Sequence, residues 1–294
     1  MYSIKHNQKS NYIEISNSDK TSYAKIYLDT GASLQELTLN SHAIIQDLSP
    51  LNYTNTYASS ILFPFANRIK DGIYNFEDKT YQFKTNQKEE NNALHGLVFN
   101  KTFEVTSQNT DKNSASIILE YNEPNKSAGF PYSYHIKLEY ILTNTNLDLI
   151  LTVKNTDTKA FPFTLGWHPY FISDDLKNST IEMDSTQKLI IGDRNITTGI
   201  EDTKPVNSFK IDNKQLDDCW ILNSGDVYFN TPKYKLHIGS TGKHNFLQAY
   251  TPPRLNTIAI EPTTGVSDSF NNKIGLDILD ANQTYSITWN LKID

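Results

Sequence analysis

Residues 132–155, YSYHIKLEYILTNTNLDLILTVKN, carry two long period-two patterns in succession. Tyr132, Tyr134, Ile136, Leu138, Tyr140 and Leu142 fall on one face, and Ser133, His135, Lys137, Glu139 and Thr143 on the other. Successive side chains of a strand point to opposite faces, so this spacing predicts a long, half-buried strand. Leu147, Leu149, Leu151 and Val153 repeat the pattern. The chain closes in the same way, with Tyr285, Ile287, Trp289, Leu291 and Ile293 alternating against Ser286, Thr288, Asn290 and Lys292. Such half-polar strands predict a predominantly antiparallel sheet.

Working outward, GIYNFEDKTYQF (72–83) reads as a hairpin turning around Glu77-Asp78-Lys79, and Tyr234, Leu236 and Ile238 mark a further strand. Helical periodicity is scarce. GASLQELTLNSHAII (31–45) is the best helical candidate, but Leu37-Thr38-Leu39 before the turn-like Asn40-Ser41 suits two strands about as well. No Pro/Gly-rich linker and no internal repeat interrupts the pattern. Residues 1–294 are therefore expected to form one all-β domain, a single large antiparallel β-sandwich with few short helices and a concave face.

Composition bounds the function. Hydrophobic residues make up 37% of the 294, and aromatic ones 12%, enough to bury a large core. The net charge of −6 includes no Lys/Arg cluster able to neutralise a row of phosphates, which argues against a nucleic-acid partner, and an acidic surface disfavours anionic membranes. MYSIKHNQKSNYIEIS (1–16) has no apolar run behind its positive charges, and no segment approaches eighteen uninterrupted apolar residues, so a cytoplasmic, non-membrane chain is the expectation. Cys219 is the one cysteine, which rules out an internal disulfide or a cysteine metal cage. Its neighbours Asp218 and Trp220 offer no positive charge to activate a thiolate.

Candidate chemistry begins with FTLGWHPYF (163–171). Phe161, Phe163 and Leu165 alternate on one face, which puts Thr164, Gly166 and His168 on the other, with His168 directed away from the apolar layer. Pro169 holds His168 extended and removes the next ladder N–H, so the strand should end there. Gly166 is expected to leave room beside the ring for a ligand. A core histidine satisfied by one hydrogen bond would leave the same pattern. NTIAIEPTTGVSDSF (256–270) repeats the arrangement: Glu261 lies on the face opposite Ile258 and Ile260, and Pro262 follows at once.

Three further segments add candidates. FPFANRIKDG (63–72) places Arg68 among apolar neighbours, where it either needs an acceptor or snorkels to the surface. NNALHG (91–96) carries His95 before Gly96, which can supply an unusual backbone angle. LDDCW (216–220) presents Asp217 and Asp218 before a short apolar strand, Trp220-Ile221-Leu222; acidic pairs there are commonly solvated turn residues, and one could accept from hydroxyls. His135 and His237, on polar strand faces, and His42, near a turn, are expected to face solvent.

Taken in order and spacing, NRI with Gly72, NNALHG, GWHPYF, LDDCW and IEPTTGVSDSFNN resemble the aldose 1-epimerase, or galactose mutarotase-like, family. The resemblance covers the chain from near residue 10 to its C-terminus, with HPYF and EP-x-TG its most specific parts. It implies a large antiparallel β-sandwich that interconverts the α and β anomers of a free sugar, a small-molecule partner, without cofactor or metal. It further implies His168 as the acid at the ring oxygen, Glu261 as the base at the anomeric hydroxyl, Arg68 and His95 as groups that hold the sugar, and an aspartate on ring hydroxyls, with Asp217 the better fit and Asp218 the fallback. Ring opening needs such a pair, because a proton must reach the ring oxygen while the anomeric hydroxyl loses one. An aromatic such as Trp167 could stack on the sugar or pack in the core. Leu97 stands where many members have a second glycine, Asn100 replaces a commonly small residue, and the chain is shorter than typical galactose-acting members; these departures bear on which sugar fits.

Three other readings remain open. A mutarotase for sugar phosphates could use Lys70, Lys101 or Arg254 to hold the phosphate. A non-catalytic carbohydrate-binding protein could share the concave face. A metal enzyme could use His95, His168 and Glu261 as ligands.

Overall fold

The computed structural model describes residues 1–123 and 126–293. Its strands follow from the alternation. Tyr134–Thr143 alternates strictly between buried and half-buried positions and pairs antiparallel with Asn146–Asn155, which in turn pairs with Thr284–Ile293. Every second residue of all three faces the core, so a one-residue slip would expose Leu138, Leu151 and Ile287 together.

Among the described residues, one antiparallel sheet of fourteen strands runs from Glu104–Thr110 at one edge to Ile61–Leu62. The first five strands, between Tyr2 and Ile45, form a separate antiparallel meander. Side chains of both sheets meet in one apolar cluster, in which Ile15, Ile26 and Leu37 from the meander join Ile136, Leu149 and Leu291 from the large sheet. The Tyr140 hydroxyl crosses between them to donate to the Ala32 carbonyl at 2.9 Å. The fold is thus an all-β antiparallel sandwich, as expected.

Residues 31–45 form the two strands Ser33–Leu39 and His42–Ile45 rather than a helix, joined at Asn40-Ser41 with both φ angles positive. That is the geometry a two-residue hairpin turn requires. The Ile73–Phe76 and Lys79–Gln82 hairpin turns at Glu77-Asp78, again with positive φ at both. The α-helices are single turns, Tyr53–Thr56 and Ser269–Asn272. Among the described residues, no helix is long and apolar enough to cross a membrane.

Four expectations need correction. Residues 161–171 are buried on both faces, because the short strands here are covered on each side, so Phe161, Phe163 and Leu165 do not mark a single apolar face and the face carrying His168 is interior too. Gly166 faces protein rather than a ligand space: a Cβ there would sit 3.0–3.1 Å from Leu62, Ala66 and Thr263. Asp217 and Asp218 are not loop residues but open a strand of 14 residues, Asp217–Asn230, held extended by partners on both sides. His135, His237 and His42 are half-buried, and the first two meet carboxylates, Glu120 at 3.6 Å and Asp226 at 2.7 Å.

Candidate active site

Two strand registers place the acid and base candidates face to face. Thr257–Thr263 pairs with Gly166–Trp167 through Gly166 opposite Thr263, and with Tyr170–Ile172 through Tyr170 opposite Ala259. Both registers put position 168 opposite position 261, so the break that Pro169 makes in the ladder leaves His168 aimed at Glu261. Nε2 of His168 lies 3.4 Å from Oε1 of Glu261. The histidine backbone is fixed at both ends, its N–H donating to Ser60 and its carbonyl accepting from Ser59.

On the other side of Thr257–Thr263, Phe246–Tyr250 pairs with Glu261 opposite Gln248, and that strand pairs with Asp217–Asn230 through Asp217 opposite Tyr250. Directly paired residues share a face, so His168, Glu261 and Gln248 form a row across three neighbouring segments; Gln248 lies opposite Cys219, and Asp217, two positions before Cys219, is its diagonal neighbour on the same face. Gln248 Nε2 donates to Asp217 Oδ1 at 2.7 Å. Asp218, one position on, points the other way and pairs with Lys188 Nζ at 2.5 Å. Of the two aspartates, Asp217 lines the cavity and Asp218 does not.

Arg68 and His95 arrive together on a separate ladder. Arg68–Lys70 pairs with Asn92–Leu94, and Arg68 lies opposite Leu94, one residue before His95. His95 has a φ of 61°, and its N–H donates to the Asn67 carbonyl at 2.8 Å. Gly96, also with positive φ, passes so close to the Phe63 backbone that a Cβ would lie 2.1 Å from its carbonyl oxygen. Only glycine fits there. The His95 ring meets the His168 ring edge-on, with centroids 5.2 Å apart, and the Tyr57 ring at 4.8 Å. Arg68 donates from Nε to Gln87 Oε1 and Glu90 Oε2, both at 3.1 Å, and from Nη1 to Asn67 Oδ1 at 2.7 Å.

All five candidates, Arg68, His95, His168, Asp217 and Glu261, line one cavity of about 290 Å³. That lies near the lower end of small-molecule clefts, roughly 300–1,000 Å³. Tyr57, Gln87, Gln248 and Tyr250 also line it. Sequence reasoning missed these four. Tyr250 lies opposite Asp217 and Gln248 opposite Glu261, but a pairing across strands leaves no mark in either segment; for Tyr57, brought in by a single helical turn, there was no signal. Trp167 is fully buried in the core and stacked on Trp289 at 6.2 Å. Lys70, Lys101 and Arg254 are not among the lining residues. Lys101 pairs with Glu123, and Arg254 donates to the Asp47 carbonyl. Cys219 is buried, and that burial pushes its thiol pKa up, away from reactivity.

Burial dominates the electrostatics. His168 and Glu261 are 5% and 3% exposed. Burial brings His168 down to about 4. It raises Glu261 well above an ordinary carboxylate; the charge of Asp217 adds to the rise, and Arg68 opposes it. Asp217 is raised for the same first reason and is held back by Arg68. His95 is lowered by burial, then by the positive charges of His168 and Arg68. Among the described residues, the buried Nδ1 atoms of His95 and His168 have no hydrogen-bond partner. A proton on Nδ1 of His95 would be an orphaned buried donor, so its N–H belongs on Nε2. Among the described residues, no three His, Cys, Asp or Glu side chains converge as a metal-ligand set.

Proton transfer on a compact polar molecule calls for an acid and a base side by side in a small cavity rimmed by hydrogen-bonding side chains, and His168 and Glu261 are groups of those types in such a cavity. The profile of the aldose 1-epimerase family matches residues 12–292, and the chain belongs to that family. It is 23% identical over 286 residues to the uncharacterized Escherichia coli K12 protein YihR, covering 92% of this chain and 90% of that one. Among solved structures, it superposes on a galactose mutarotase-like protein from Clostridium acetobutylicum with a TM-score of 0.88 at 20% identity, covering 100% and 98% of the two chains. It matches the galactose 1-epimerase of Lactobacillus acidophilus NCFM with a TM-score of 0.81 at 17% identity, again covering 100% and 98%.

Proposed function

We propose that this chain is an aldose 1-epimerase that interconverts the α and β anomers of a free, unphosphorylated aldose, with His168 as acid and Glu261 as base. The observation that carries this reading is the 3.4 Å contact between His168 Nε2 and Glu261 Oε1 in a cavity that Arg68, His95 and Asp217 also line.

The reaction moves two protons. His168 gives one to the ring oxygen as the C1–O bond to it breaks, and Glu261 takes one from the anomeric hydroxyl, leaving a carbonyl at C1. Rotation about C1–C2 presents the opposite carbonyl face; the chain hydroxyl then adds, returning its proton to His168 as Glu261 reprotonates the new anomeric oxygen. The pair therefore alternates between imidazolium with carboxylate, which starts each turnover, and neutral imidazole with protonated carboxyl, which accompanies the open chain. Burial favours the second form. Arg68 lowers the proton affinity of Glu261 and so favours the first.

Arg68 Nη groups and the Nε2–H of His95 are donors suited to the ring-oxygen region, where charge develops. Asp217, anchored by Gln248, is an acceptor for ring hydroxyls. Two features favour a free sugar over its phosphate. Lys70, Lys101 and Arg254 lie off the cavity, and the carboxyl groups Asp217 and Glu261 lie in it. A buried, paired acid and base favours catalysis over recognition alone.

The test is equilibration of freshly dissolved α-anomers of several aldoses and their 6-phosphates, followed by polarimetry or saturation-transfer NMR with chelator present. Acceleration of a free aldose supports the reading. Binding without acceleration, acceleration of phosphates alone, or loss of activity on chelation would each overturn it.

A further inference from the structure

Among the described residues that line the cavity, Arg68 is the one guanidinium or ammonium, and its charge is already engaged. Glu90 does not line the cavity; it stands behind the guanidinium and accepts from Arg68 Nε at 3.1 Å. Glu90 is itself held. Its Oε1 accepts from Asn195 Nδ2 at 2.7 Å, its Oε2 also from Asn92 Nδ2 at 3.3 Å, and its carbonyl from Arg194 Nε at 2.6 Å. Arg194 continues from Nη2 to Asp71 Oδ1 and Asn92 Oδ1, both at 2.9 Å, and to the Asn91 carbonyl at 2.8 Å. Arg194 and Asn195 adopt φ angles of 60° and 56°, a backbone that side-chain-bearing residues rarely take. A strained turn more than a hundred residues away in sequence thus braces the loop that carries Glu90.

That bracing fixes more than the direction of Arg68. A guanidinium paired from behind presents its Nη donors to the cavity while its net charge is offset, so it hydrogen-bonds a hydroxyl but offers an anion little. We propose that Glu90 is a positioning and specificity-determining residue: its ion pair with Arg68 makes the cavity select uncharged sugars against anionic ones. The proposal rests on the free-aldose reading and names the group that enforces it. An anionic substituent entering the cavity meets the field of Glu90 through the guanidinium, in addition to any charge on Asp217 and Glu261.

The experiment compares the wild type with E90Q, which keeps an acceptor for Arg68 but removes the charge, and with E90D, which keeps the charge. Glucose and glucose 6-phosphate are the probes, read by kcat and KM for mutarotation and by saturation-transfer NMR for binding. E90Q should shift the phosphate-to-free ratio of kcat/KM toward the phosphate by about tenfold, mainly through KM, with E90D returning toward the wild-type ratio. Q87E adds charge at the same Nε and should move the ratio the other way, which keeps the proposal testable if E90Q fails to fold. An unchanged ratio in folded E90Q, or in Q87E where E90Q does not fold, overturns the proposal. A wild type that accelerates neither sugar overturns the free-aldose reading instead, and the ratio of binding affinities, shifted or unshifted by the variants, still decides the role of Glu90.

Discussion

Nε2 of His168 lies 3.4 Å from Oε1 of Glu261, with His168 in the two-residue gap between short strands that both pair with the strand carrying Glu261. The ladder rungs on either side of them, Gly166 with Thr263 and Tyr170 with Ala259, fix their separation. Groups carried on paired strands or pinned between them keep their geometry more closely than groups on free loops, which suits a proton-transferring pair.

His168→Asn should lower kcat by about 10²–10⁴-fold, the usual contribution of a positioned acid, with the far-ultraviolet circular dichroism unchanged. Glu261→Gln should fall by a similar factor yet retain sugar binding by saturation-transfer NMR. Near-normal mutarotation in either variant would remove that residue from its role.

The two aspartates should separate cleanly. Asp217→Asn should lose roughly 10–100-fold in kcat/KM, as expected when a charged acceptor for hydroxyls is neutralised. Asp218→Asn loses only a partly exposed pair with Lys188 and should stay within about twofold, with a stability change below ~1 kcal/mol. Equal effects would contradict the placement of Asp217 at the sugar.

The pH–rate profile should be a bell whose limbs belong to the pair jointly. Activity needs one proton shared between His168 and Glu261. On the acid side it should fall as the pair takes up a second proton, leaving imidazolium beside a protonated carboxyl, near the value of about 4 to which burial brings His168, rather than near 6.5. On the alkaline side it should fall only above the ordinary carboxylate range, because burial raises Glu261. An acid limb centred at 6.5, read from kcat/KM against pH, would show that His168 is not buried as described.

Stability should fall on acidification through the same histidine. Its folded pKa lies below the unfolded value of 6.5, so between 6.5 and about 4 the unfolded chain binds the proton and the folded one does not. The stabilising contribution is thus present above 6.5 and lost as pH falls. His168→Asn removes this linkage and should narrow the difference in unfolding free energy between pH 7 and pH 5 by about 2 kcal/mol, measured by urea denaturation at both pH values. An unchanged difference would contradict a buried neutral imidazole.

Gly96→Ala tests how His95 is held. The new Cβ would lie 2.1 Å from the Phe63 carbonyl oxygen on a backbone with φ of 74°, so the loop must shift. A loss of about 1–3 kcal/mol is expected, read as a lower thermal midpoint, together with reduced kcat as the His95 ring moves. A variant with wild-type midpoint and rate would mean the loop relaxes without cost.

The alternation of residues 132–155 and 284–293 determined an antiparallel, half-polar sheet, because period-two burial is a local property that each strand carries in its own residues. The Pro or Gly that follows His95, His168 and Glu261 likewise marked them as candidates, since that is local information, whereas Arg68 and Asp217 joined them through the family resemblance. What such local patterns could not carry is the partners of each segment. Whether the face of His168 meets solvent or protein, whether Gly166 opens on a ligand or on Leu62, and which of Asp217 and Asp218 turns inward all depend on segments tens of residues away. The same holds for Gln248, Tyr250 and Glu90, which join the site or its support through cross-strand pairing and a bridging ion pair. Register between distant strands is set by the burial of the whole sheet at once, and so only the tertiary structure decided it.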